Sequence, residues 1–169
     1  MRTRQLFDSV VAAAIAEERR NATPVYTFAL YHDHESRAVS ACIDTLENSV
    51  RLVRSINSYN AKHFCRALKN GDLSEAALWT GNIGRSLSLG DFVLKNIGRT
   101  KSAKFESDPD FYVEMARSIA AAEADILACS TMPADVIFAC STAKDEVGLW
   151  WGPTSGACAK QSVGADRDG

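Results

Sequence analysis

Apolar and polar positions alternate along this chain with periods that change every ten to twenty residues, and those changes mark out its elements. Over residues 4–20, Leu6, Phe7, Val10, Val11, Ala14 and Ile15 share one side of a helical wheel, which predicts an amphipathic helix ended by Pro24. VYTFALY, 25–31, is β-branched and aromatic and apolar on both faces, as a central strand requires. HDHES, 32–36, reads as a polar turn and RAVSACI, 37–43, as a second strand. So short a spacing implies an antiparallel hairpin.

Asp44, Thr45 and Glu47 supply the short oxygen and the acidic first turn of a helix start. Leu46, Val50 and Val53 then repeat at i, i+4 and i+7, with Glu47 and Arg51 one turn apart on another side. A second helical piece carries Ala61, Phe64, Cys65 and Leu68. Its spacing puts Cys65 inside, turns Lys62, His63 and Arg66 outward, and ends at Asn70-Gly71. Asp72 to Glu75 opens a short helix through Trp79, after which Gly81, Gly84 and Gly90 break regularity. Residues 91–99 read as a strand, because Phe92, Val93 and Ile97 favour one and Gly98 weakens a helical end.

SAKFESDPD, 102–110, is a polar loop. Asp108-Pro109 starts a long helix lined by Phe111, Met115, Ile119, Ala122 and Ile126, which Met132-Pro133 ends. DVIFACS, 135–141, is a buried-type strand, TAKDE, 142–146, a turn, and VGLWW, 147–151, a last strand. Short turns between strands and helices in groups predict an α+β fold. The expected architecture is a mainly antiparallel sheet of about five strands flanked by helices, with a single domain over 1–152 and a disordered Gly/Ala/Ser/Asp tail over 153–169.

Totals sharpen this little. A chain of 169 residues fits one domain and buries enough surface to need neither disulfide nor metal. Nineteen Lys and Arg against 21 Asp and Glu leave a formal charge of -2, which argues against a long-range field for nucleic acid or an anionic membrane, though not against a local basic patch. No apolar run is long enough to span a bilayer. The basic-then-apolar start resembles a targeting peptide, but Gln5, Asp8 and Ser9 interrupt it and Glu17 to Arg20 follow, so a cytoplasmic protein is expected. Five cysteines, none in a CxxC pair, fit buried or incidental thiols in a reducing compartment.

The candidate chemistry is thin. His32 and His34 alternate as two metal ligands on a strand would, yet no third or fourth ligand is evident, and two ordinary histidines in a solvated turn explain them. His63 and Cys65 diverge on a helix and cannot form a nucleophile–base pair. Gly81-Asn82-Ile83-Gly84-Arg85-Ser86 is either a phosphate-cradling turn or a structural loop, and it lacks the lysine and spacing of a P-loop. Arg85, Asp91 and Arg99 are either a half-buried ion pair or a recognition site. Trp79, Trp150 and Trp151 are candidate anchors for a partner, and one of the adjacent pair must face outward on a strand. The acidic pairs Glu17-Glu18, Asp108/Asp110 and Asp145-Glu146 fall at element ends and turns, where carboxylates are solvated.

VYTFALYHDHE followed by SACIDTLEN resembles the opening hairpin of a bacterial family, the domain of unknown function 4303 group. ALWTGNIGRSLSLGDFVLKNIGRT, DFYVEMARSI and VIFACSTAKDEVGLWW are similar to its downstream segments. The resemblance spans most of residues 5–151 and implies, by association with SUKH-like immunity proteins, a protein-binding role; it carries no catalytic residue and no cofactor. Two functions follow as expectations. One is a non-enzymatic, immunity-like module that blocks a toxin-like protein partner through Trp79, Arg85 and Asp91. The other is an enzyme or small-ligand binder that holds an anion with Asn82, Arg85 and Ser86. Neither nucleic acid nor membrane is expected as a partner, and the oligomeric state is left open.

Overall fold

The computed structural model of the chain describes residues 2–154. Its elements are α1 (Thr3–Asn21), β1 (Thr27–Asp33), β2 (Ala38–Asp44), α2 (Leu46–Lys69), α3 (Leu73–Leu78), β3 (Leu94–Lys101), α4 (Phe111–Ala121), α5 (Glu123–Leu127), β4 (Ile137–Cys140) and β5 (Leu149–Trp151), with 3-10 turns at Leu89–Asp91 and Pro133–Asp135. The strands form one five-stranded sheet in the order β3-β2-β1-β4-β5. Three pairings are antiparallel, and β1 and β4 run parallel. The fold is α+β, as the pattern along the chain predicts.

Side chains alternate across a sheet, so β1 and β2 present two different faces. Phe28, Leu30, Val39, Ala41, Ile43 and Phe138 lie on one and are buried against Leu6, Phe7, Val10 and Val11 of α1, Phe111, Met115 and Ile119 of α4, and Ile126 of α5. The opposite face carries small side chains, Ala29, Cys42 and Ala139, under a thin cover of Leu89 and Phe92 with Tyr31 and Val147 at its margin. Small residues let irregular backbone lie close to a sheet, which is why this side needs no helix. Burial pushes the Cys140 thiol up to about 11.

Several boundaries differ from the expected ones. The first hairpin is longer than its apolar run: β1 continues through His32 and Asp33, and His32 is buried rather than solvated in a turn. The turn beyond is closed by Asp33, whose carboxylate accepts from the Ser36 amide at 2.9 Å and the Ser36 hydroxyl at 2.5 Å. The two helical pieces expected between 44 and 70 are one continuous 24-residue helix, α2. Thr45 caps it by accepting from the Asn48 amide at 3.2 Å, and Gly71, at φ +70°, ends it. The expected strand at 91–99 begins three residues later and extends to Lys101. The long helix expected from Asp108 to Met132 is broken at Ala122 into α4 and α5. Glu123 turns inward at that break, and its carboxylate accepts from the amide and hydroxyl of Thr154 at 2.8 and 2.6 Å. Pro153 and Thr154 therefore belong to the ordered body. The remainder of the expected tail, 155–169, lies outside the described residues, as does Cys158.

Among the described residues no helix is long and apolar enough to cross a membrane.

Candidate functional site

α2 has the apolar spacing of a core helix but buries only Ser49 and Ala67. Its row Leu46, Val50, Val53, Asn57, Asn60, Phe64 and Ala67 follows one stripe, and two asparagines interrupt it. Those asparagines hold the segment that follows α3. Asn60 donates to the Thr80 carbonyl at 3.0 Å. Asn57 both accepts from the Asn82 amide at 2.7 Å and donates to the Asn82 carbonyl at 2.8 Å, pairing with that residue as a strand would. Toward the start of α2, the Ser49 hydroxyl accepts from the Ser86 amide at 2.9 Å, and Asn48 donates to the Asp91 carbonyl at 2.9 Å. The chain from Thr80 to Asp91 thus runs back along α2 on a ladder of short polar side chains. None of Asn48, Ser49, Asn57 or Asn60 stood out in the sequence as a candidate. The available signal was the presence of amides on an apolar stripe, where they need backbone partners.

This ladder fixes the four residues singled out from the sequence. Trp79 closes α3, with its ring stacked on His63 at 4.4 Å and edge-on to Tyr59 at 5.9 Å. Its indole N–H is buried without an acceptor. Asn82 spends its backbone on Asn57, and its side-chain oxygen accepts from the Gly84 amide at 2.9 Å. Arg85 turns inward to the end of the sheet. It lies 3.6 Å from the centroid of the Tyr26 ring and donates to the Tyr26 carbonyl at 2.5 Å, to the Thr27 hydroxyl at 3.0 Å and to the Asp135 carbonyl. Burial pulls its pKa below the ordinary guanidinium value. The exposed Asp91 accepts from the Ser88 hydroxyl at 2.8 Å.

The expected grouping of Arg85, Asp91 and Arg99 does not form. Arg99 instead pairs with Asp33 at 2.6 Å beside the first hairpin turn and, with Ser36, holds that carboxyl well below its usual range. Nor do Asn82, Arg85 and Ser86 make a cradle for an anion. Ser86 is buried with its amide on Ser49, and the Arg85 guanidinium is taken up by carbonyls, a hydroxyl and a ring.

The surface is where α2 differs most from expectation. Cys65, placed inside by spacing, is exposed, and His63, placed outside, is half-buried under Trp79. The spacing misleads because residues 80–86 occupy the middle of the apolar stripe and little but α3 covers its far end. Nine of the fourteen exposed large hydrophobic residues among those described lie between 46 and 83, so the apolar surface is concentrated there. Leu73 and Leu78 are 73 and 76% exposed, Ile83 is fully exposed, and Tyr59, Phe64 and Leu68 join them. A shallow groove of about 300 Å³ runs between Asn57, Ala61 and Phe64 on α2 and Trp79 to Gly81. At the far edge of the sheet Trp150 is 61% exposed, while Trp151 packs on Phe138.

A second polar cluster lies under α4. The His32 ring meets the Tyr112 hydroxyl at Nδ1 (3.1 Å) and both Glu106 and Ser102 at Nε2 (3.2 Å each). Ser102 donates to Glu106 at 2.8 Å, and Arg37 pairs with the other Glu106 oxygen at 2.7 Å. These partners fit one neutral tautomer, with the proton on Nε2 and the Tyr112 hydroxyl donating to Nδ1. Ser102 therefore gives its proton to a carboxylate and not to the imidazole. Both Ser102 and His32 are buried, so the set ties β1, the segment that follows β3 and α4 together and does not activate a nucleophile. Burial draws the His32 pKa down, and the Glu106 hydrogen bond partly opposes this. His34 is exposed with its ring 4.6 Å from that of His32. Among the described residues no three His, Cys, Asp or Glu side chains are placed to hold a metal ion. One expected solvated carboxylate is not solvated: Glu18 is buried, and burial of the Cys129 thiol, reinforced by Glu18 beside it, pushes that thiol up to about 11.

Comparison of the chain with family models, with curated proteins and with solved structures finds no match, so no residue role comes to it from a relative.

Proposed function

We propose that this chain is a non-enzymatic protein-binding module whose contact surface is the arm formed by α2, α3 and residues 79–83. The observation that carries this reading is the apolar band on the arm. Leu73, Leu78, Ile83, Tyr59, Phe64 and Leu68 stand exposed on elements that bury almost nothing of their own. Exposed large apolar side chains concentrated on one part of a chain are costly in water and are characteristic of surfaces that another protein covers. Trp79 contributes as the brace between α2 and the loop, while Arg85 and Asn82 act indirectly by holding the loop in place. The resemblance to the 4303 group points to an immunity-like role with a toxin-like partner. The four cysteines among the described residues are free thiols, with Cys65 exposed, which fits a cytoplasmic setting. The anion-binding alternative gains no support, because Arg85 and Ser86 spend their donors within the fold.

The test is affinity capture from the source cells with the full chain and with Leu73→Ser/Leu78→Ser/Ile83→Ser. These positions are exposed, so the variant is expected to keep the parent circular dichroism and melting temperature. A partner retained by the parent and lost by the variant supports the reading. Identical sets of bound proteins overturn it.

A further inference from the structure

The charges on the arm say what kind of partner it takes. α2 carries Arg51, Arg54, Lys62, Arg66 and Lys69 against the single acid Glu47, a net charge of +4 that Asp72 at the cap of α3 and Glu75 within it reduce to +2 for the arm, within a chain whose total is -2. Elsewhere Arg4, Arg19, Arg20, Arg37, Arg99 and Arg117 each lie within 4 Å of a carboxylate. On α2 only Arg66 does so, at 3.6 Å from Glu75, and Arg54, Lys62 and Lys69 form no ion pair among the described residues. At 3.6 residues per turn, Arg51, Arg54, Lys62 and Lys69 fall within about 80° of arc. That arc borders the one holding Leu46, Val50, Phe64 and Leu68, all of them exposed.

We infer that the arm binds an acidic amphipathic segment of another protein. Its carboxylates meet the unpaired Arg54, Lys62 and Lys69, and its apolar side chains rest on Phe64, Leu68 and the groove beside Trp79. This inference rests on the protein-binding reading and adds the chemistry of the partner to it. Charge complementarity selects the occupant: unneutralised positive charge beside exposed apolar surface is satisfied by negative charge beside apolar surface. A second copy of the chain is disfavoured, because a twofold contact through α2 would set one basic arc against another. An anionic bilayer is disfavoured too. A helix lying in a membrane needs a continuous apolar face, and here Thr80 and Asn82 are bonded across the middle of that face by Asn60 and Asn57.

The experiment selects binders from a displayed library of random peptides on the immobilised full chain. A representative winner is then synthesised and titrated. The expected winners combine Asp and Glu with Leu, Phe or Trp. Arg54→Glu/Lys62→Glu/Lys69→Glu, all exposed positions, is expected to weaken binding about tenfold or more, and exchanging the peptide's acids for Lys is expected to restore binding to that variant. Winners with no acidic bias that are nevertheless lost on Leu73→Ser/Leu78→Ser would overturn the inference while leaving the arm as a protein-binding surface. Winners indifferent to every arm substitution, or no winners at all, would overturn both. Sedimentation of the chain with phosphatidylglycerol vesicles but not phosphatidylcholine vesicles, with the peptide displaced, would overturn the acidic-protein assignment in favour of a membrane surface.

Discussion

Arg85 lies over the ring of Tyr26, 3.6 Å from its centroid, and donates to the carbonyl of the same residue. Tyr26 immediately precedes the central strand β1, and Arg85 sits between α3 and β3, so this one side chain fastens the loop of the arm to the sheet. Its other donors reach Thr27 and the Asp135 carbonyl ahead of β4.

Removal of that fastening costs stability in the whole fold and not only in the arm. Arg85→Ala is expected to lose about 1–3 kcal/mol in urea unfolding, since charged hydrogen bonds and a cation–π contact go together. Arg85→Lys should recover only a small part, because a single ammonium cannot serve the ring, the carbonyls and the hydroxyl at once. Full recovery with lysine would show that charge alone matters at this position.

His32 sets the acid response. Burial keeps its folded pKa below the ordinary 6.5, so the unfolded chain takes up the proton first. Stability from this network is complete above about pH 6.5 and falls as pH drops through the folded value, with a slope of at most about 1.4 kcal/mol per pH unit for one proton. Glu106, held below its ordinary value by Arg37, Ser102 and His32 against the opposing effect of burial, carries the loss on through the carboxylate range. Urea midpoints at about pH 7.5 and about pH 5.5 should differ for the parent and differ less for His32→Gln. Equal pH dependence in the two proteins would remove His32 from this role.

Gly98 shows where backbone freedom is required. It sits in β3 at φ +62°, and a Cβ placed there would be 3.2 Å from the Val10 Cα and the Ala13 Cβ of α1. Gly98→Ala should cost about 1–3 kcal/mol and lower the melting temperature by about 3 °C or more. Gly90→Ala is the control, with open space around its Cβ, and should shift stability by less than about 0.5 kcal/mol.

The arm should open before the sheet does. β2 is buried along its whole length, while α2 buries two residues of twenty-four. Amide exchange is expected to be faster by orders of magnitude over residues 56–70 than over β1 and β2, and to slow when an arm-binding peptide is present. Uniform protection across both regions would mean that α2 is held by contacts other than those described.

The residue pattern by itself determined α1, the first hairpin, the α+β class and the five strands, because local period and turn chemistry dominate there. Leu6, Phe7, Val10 and Val11 can share a face only in a helix, and VYTFALY is apolar on both sides because β1 lies at the centre of a sheet. The pattern also required that one of Trp150 and Trp151 point outward. It did not determine what each apolar stripe packs against. The spacing of Ala61, Phe64, Cys65 and Leu68 is that of a buried helix, yet Asn57 and Asn60 bring the 80–86 segment onto α2 and leave Phe64, Cys65 and Leu68 exposed. The sequence alone left Arg85 between an ion pair and a ligand site, and it gave no sign that His32 lies beside Tyr112, Ser102 and Glu106, 70 to 80 residues away. Only the tertiary structure decided these, because the partners of a polar side chain are set by which distant segments the sheet order brings together, and local spacing carries no record of that.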